Sequence, residues 1–90
     1  MPKVRLFANF REEVGAREVT LQGDNVKELL SNLTRLFPGV KKLLFKDSSG
    51  ELQPYINIFV DGVSIHELKG LETPLAGEEE VAIFPPVSGG

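Results

Sequence analysis

An α+β fold, a mixed sheet of four to five strands around one main helix, is predicted by three features of the sequence. Short segments of period-two alternation stand near both ends and in the second half of the chain. One sustained helical stripe, from Val26 to Phe37, lies between them. The resulting order is β-β-α-β-β-β within 90 residues, enough for one domain and too few for two.

The first segment, Lys3 to Phe10, opens with alternation that puts Val4, Leu6, Ala8 and Phe10 on one face. Gly15 lies in a polar turn, after which Val19 and Leu21 alternate with polar residues; a hairpin is expected. Asp24 and Asn25 are N-cap candidates, with Glu28 at capping-box spacing from Asn25. Val26, Leu29, Leu30, Leu33, Leu36 and Phe37 then form the stripe, and Pro38-Gly39 ends it. Val40 to Phe45 fits a further helical turn, and Lys46 to Gly50 has loop composition. Tyr55 to Val60 is strongly β-prone and closes at the turn pair Asp61-Gly62, with Val63 to Ile65 returning. His66 to Glu80 reads as irregular, anchored by Leu68, Leu71 and Leu75. Val81 to Phe84 is the last strand, stopped by Pro85-Pro86. Placing that strand centrally, beside the first, gives the β-grasp arrangement. The division expected is a β-grasp domain over residues 1–84 and a flexible C-terminal tail over residues 85–90, ending in Gly-Gly.

Composition narrows the function classes. The chain is 41% hydrophobic and 26% charged, as ordinary globular domains are. It has no cysteine, which removes disulfides, thiolate metal ligands and a cysteine nucleophile. Its net charge is −3 without a basic stripe, so no nucleic acid is expected as a partner. No apolar run approaches the ~20 residues that cross a bilayer, and no signal-peptide pattern is present; no membrane association and a cytoplasmic location are expected.

If Val4, Leu6, Ile58, Val60, Val81 and Ile83 point inward, alternation turns Phe7, Phe59 and Phe84 outward. On neighbouring strands they would form one apolar patch, the kind of surface that marks a partner. The alternatives are that the segment from His66 to Glu80 folds over them, or that one of the strands presents the opposite face.

Gly89-Gly90 is the candidate reactive end. Glycines lack a Cβ, so such a segment can thread a narrow active site and leave its carboxylate unobstructed. A free α-carboxylate ionises near ~3.5 and resists nucleophiles until activated, most simply as an acyl adenylate made with ATP. The sequence has neither a Walker pattern nor a Gly-rich turn before the helix, so the ATP site belongs to another enzyme. No bound cofactor is expected.

Phe84-Pro85-Pro86-Val87-Ser88-Gly89-Gly90 resembles the C-terminal motif of the sulfur-carrying small subunit of molybdopterin synthase. Val4 to Ala8 with Arg11-Glu12 and Gly15, the helix end at Phe37-Pro38, and Thr73 to Val81 are similar as well. The resemblance implies a ubiquitin-like β-grasp fold and a sulfur carrier for molybdenum or tungsten cofactor synthesis. It implies that Gly90 is adenylated by a ubiquitin-activating-type adenylyltransferase and converted to a thiocarboxylate. The sulfur then passes to a pterin precursor in the synthase large subunit, with Val87, Ser88, Gly89 and Gly90 inserted there and the apolar sheet face docked. Such a protein is a carrier subunit and no catalyst alone. One departure is that the stretch from Val40 to Pro54 exceeds that of the shortest carriers, the thiamine-pathway carrier among them. Longer relatives of this type include archaeal proteins that modify lysines.

Two further functions therefore stand beside sulfur carriage: a ubiquitin-like modifier joined through Gly90 to lysines, and a non-covalent interaction domain. His66, the single histidine, has no second ligand at metal spacing, and no metal site is expected. Glu78-Glu79-Glu80 reads as a solvated turn that could meet a basic partner patch.

Overall fold

The computed structural model describes residues 1–46 and 49–85. Strand β1, Lys3–Leu6, follows the alternation: Val4 and Leu6 are buried while Lys3 and Arg5 are exposed. The strand then stops. Ala8 takes a left-handed conformation (φ 50°), and Ala8–Val14 forms helix α1, which replaces the expected continuation to Phe10. Phe10 and Val14 are four apart, so the same residues that extend an alternating pattern also start a helical one. Gly15, at φ 81°, caps α1, its N–H donating to the Arg11 carbonyl at 2.8 Å. Strand β2, Glu18–Thr20, pairs antiparallel with β1, but through a helix and not a tight hairpin turn.

Helix α2 spans Val26–Leu36 and buries Val26, Leu29, Leu30 and Leu33. The Asn25 side chain accepts the Glu28 N–H at 2.8 Å, and Glu28 Oε1 accepts the Asp24 N–H at 3.1 Å, so both donors at the helix entry are satisfied. Leu36, in the last turn, is 61% exposed and leaves the stripe. Helix α3, Val40–Leu44, buries Val40 and Leu44. Strands β3, Asn57–Val60, and β4, Val63–Ser64, are joined by Asp61 and Gly62, both at positive φ, the two-residue turn that matches strand twist.

The following segment is two short 3₁₀ turns, Ile65–Glu67 and Gly70–Glu72. Leu75 is buried and Leu71 packs on the core, but Leu68 is 43% exposed. Thr73 takes the third anchoring place. It is buried, donates to the Gly70 carbonyl at 2.7 Å and accepts the Lys69 N–H at 3.1 Å. The Thr73 carbonyl accepts the Val26 N–H, and the Leu75 N–H donates to Asp24, tying this segment to the start of α2.

Strand β5, Glu80–Phe84, lies at the centre of a five-stranded sheet of order β2-β1-β5-β3-β4, parallel to β1 and antiparallel to β3. One face of that sheet and the stripe of α2 enclose the core, to which α1 adds Phe10 and α3 adds Val40 and Leu44. Among the described residues no helix is long and apolar enough to cross a membrane.

Candidate functional site

The sheet's other face is set by register. Arg5 faces Ala82 across β1 and β5, Ala82 faces Phe59 across β5 and β3, and Phe84 faces Asn57. Because Leu6 is level with Ile83, the next residues, Phe7 and Phe84, come side by side. Their rings stack with centroids 4.4 Å apart and planes 12° from parallel. Phe59 meets Phe84 edge-on at 5.6 Å and 86°. Phe84 is thus the centre of a three-ring cluster, drawn from β3, β5 and the residue after β1, and all three side chains are half-buried. The segment from His66 to Glu80 is held at the start of α2 as described above.

Two ion pairs border the rings. Lys3 pairs with Glu18 at 3.5 Å and Arg5 with Glu80 at 3.7 Å. The Arg5 guanidinium also lies 5.8 Å from the Phe7 ring centroid, within range of a cation–π contact. Arg5 and Ala82 complete this face and were missed by reasoning from phenylalanines alone. The signal was available: Arg5 stands two residues before Phe7, and Ala82 two before Phe84. The small Ala82 stands in register between Arg5 and Phe59, so the surface offers aromatic area beside charge. Such a face can seat an apolar partner surface and orient it through the ion pairs.

Phe84 ends β5 and leads into Pro85, which is half-buried. Pro86, Val87, Ser88, Gly89 and Gly90 lie outside the described residues.

Among the described residues, the one carboxyl displaced from its ordinary pKa lies away from the rings. Glu79 accepts the Ala76 N–H at 2.6 Å and the Gly77 N–H at 2.8 Å, and these bonds hold it below the usual glutamate value. It closes the turn that enters β5, so this residue of the acidic run is a turn clasp as well as a surface charge. His66 is exposed, and its backbone N–H donates to the Ser64 hydroxyl. Among the described residues no three His, Asp or Glu side chains converge where a metal could sit.

The family model described as the ThiS family matches residues 4–90. The chain belongs to the ThiS family. Small archaeal modifier protein 3 of Haloferax volcanii is 34% identical, with 98% of this chain and 97% of that protein covered. A putative sulfur carrier protein of Archaeoglobus fulgidus is 37% identical over 98% and 97% of the two chains. The solution structure of small archaeal modifier protein 1 from Methanosarcina acetivorans superposes with a TM-score of 0.92. It is 41% identical and covers 99% of this chain and 95% of that one. This ThiS-family chain is a ubiquitin-like β-grasp protein of the sulfur-carrier and small-modifier type. Proteins of this type are not themselves catalysts.

Proposed function

We propose that this chain carries sulfur as a thiocarboxylate on Gly90. The observation that supports this most is the placement of Phe84. The residue at the centre of the ring cluster is also the last of β5, six positions before Gly90. Six residues span at most roughly 20 Å when extended. A partner seated on Phe7, Phe59 and Phe84 therefore has the Gly90 carboxylate within reach of its own active site. Residues 85–90 act as the tail, with Pro85 and Pro86 preventing further strand pairing and Val87, Ser88, Gly89 and Gly90 entering the partner.

The chemistry needs two steps. An adenylating enzyme joins the Gly90 carboxylate to AMP and releases pyrophosphate; hydrosulfide then displaces AMP and leaves the thiocarboxylate. ATP is used by that enzyme and is not held by this chain. In its finer form the proposal takes the sulfur to a pterin precursor in the large subunit of molybdopterin synthase, as the C-terminal motif implies. A second reading is favoured by the relatives named as modifier proteins: the same activated Gly90 is attacked by a lysine amine of another protein and forms an isopeptide bond.

The test is the intact mass of the chain after incubation with a ubiquitin-activating-type enzyme, ATP and sulfide. A gain equal to replacing one oxygen by sulfur, mapped to Gly90 and lost when Gly90 is deleted, is expected. Isopeptide-linked products in a mixture of acceptor proteins, with no dependence on sulfide, would favour the modifier. Neither product, with an enzyme competent on a known carrier, would leave a non-covalent interaction domain.

A further inference from the structure

On the side of α2 that does not carry the buried stripe lies a cavity of about 270 Å³. Lys27, Ser31 and Thr34 line it at spacings of four and three, one continuous helical row. Lys27 and Thr34 are about 10 Å apart along the axis at 1.5 Å per residue. The second lysine in the lining, Lys41, stands on α3, which begins just past the far end of α2. One cation thus comes from the start of α2 and the other from beyond its end. Phe45 and Leu71, both partly buried against the core, supply the apolar part of the lining.

The electrostatics are one-sided. Lys3 and Lys46 are paired with Glu18 and Glu51, whereas Lys27 and Lys41 take part in none of the ion pairs among the described residues. No aspartate or glutamate lines the cavity among the described residues. The Thr34 hydroxyl donates to the Ser31 carbonyl at 2.9 Å, which leaves the Ser31 hydroxyl as the side-chain donor for a ligand. On a chain of net charge −3, two cations that share one recess and have no ion pair among the described residues mark where an anion is held.

We infer that this cavity binds a small dianion with an apolar middle: one negative group at Lys27 and Ser31, the other at Lys41, and the spacer along Phe45 and Leu71. The volume is near the lower end of small-molecule sites, roughly 300 Å³ and upward. The ligand is therefore a free dicarboxylate or the paired acidic side chains of a short extended segment. Both lysines are exposed, so solvent screens them and half-saturation on the order of millimolar is expected. The site is separate from the ring cluster, and binding is read without reference to the fate of Gly90.

Backbone amide NMR of the ¹⁵N-labelled full chain, titrated at constant ionic strength, tests it. The probes are suberate, the monoanion octanoate, and the peptide acetyl-Glu-Ala-Val-Glu-amide. Saturable shifts at Ser31, Thr34, Lys41 and Gly50 are expected with suberate, the peptide or both, and at least tenfold weaker with octanoate. Saturation by suberate alone identifies a free ligand, and by the peptide alone a partner segment. The shifts should vanish in the Lys27→Gln/Lys41→Gln double variant and persist in Lys3→Gln/Lys69→Gln. Shifts that fail to saturate with either dianion, that octanoate matches, or that survive the Lys27→Gln/Lys41→Gln change would overturn the inference.

Discussion

The ring of Phe84 lies flat on the ring of Phe7, 4.4 Å between centroids, although one residue comes from each end of the chain. This contact joins the stability of the sheet to the integrity of the proposed docking face. Stacked aromatic pairs are worth about 0.5–1.5 kcal/mol beyond their area. In a double-mutant cycle of Phe7→Ala and Phe84→Ala, the coupling measured by urea unfolding should fall in that range. Phe7→Ser should leave the monomer folded and weaken capture by the activating enzyme. Unfolding of that single variant would assign the cluster to structure alone.

Glycines 23 and 39 should respond differently to the same methyl group. A Cβ on Gly23 would come within 2.8 Å of the Leu29 N, Cα and Cβ, in the rigid interior of α2. At Gly39 the atoms in the way belong to the carboxylate of Glu13, an exposed side chain free to swing aside. Gly23→Ala should therefore cost about 1–3 kcal/mol by urea unfolding, and Gly39→Ala within about 0.5 kcal/mol of nothing.

Ala8 turns the chain out of β1 at φ 50°, a conformation that costs an L-residue about 1–2 kcal/mol. Ala8→Gly removes that cost but frees the unfolded chain by about 0.4–1 kcal/mol. A net stabilisation of about 0.5–1 kcal/mol is expected in thermal unfolding. The Phe7–Phe84 stack should be retained, since the turn keeps its geometry.

Acid should act through Glu79. Its carboxyl is held below the ordinary value of 4.5 by the Ala76 and Gly77 N–H groups, so folding favours the ionised form. That stability is fully present above the ordinary value and is lost as pH falls through the lower, folded-state pKa. Glu79→Gln should thus be less stable than the parent at pH 7, with the difference shrinking as pH drops below about 4.5. A difference that stays constant with pH would show that the charge is immaterial.

Much of this was legible in residue spacing, and the failures have physical causes. The stripe of α2 and its Asn25–Glu28 entry could be read because helical period and capping chemistry agree there. The outward direction of Phe7, Phe59 and Phe84 followed from the period of two. That their rings touch required the strand order, which is long-range information. Helix α1 was hidden because Leu6, Ala8 and Phe10 fit a strand, and the turn that ends β1 rests on an alanine, which carries no turn signal. Thr73 could not be told from a loop residue, since its role depends on bonds to Gly70, Lys69 and Val26.

The parallel pairing of β1 with β5 governs how the molecule comes into being. Without β5, the remaining strands are two separate two-stranded ribbons, β2 with β1 and β3 with β4, neither stable by itself in water. Folding must therefore wait for a closure between the two ends of the chain, the slow kind of contact. That same closure brings Phe7 against Phe84. If the three rings are the docking face proposed above, that face does not exist in a partly folded molecule, and a partner that recognises it accepts only chains whose folding is finished.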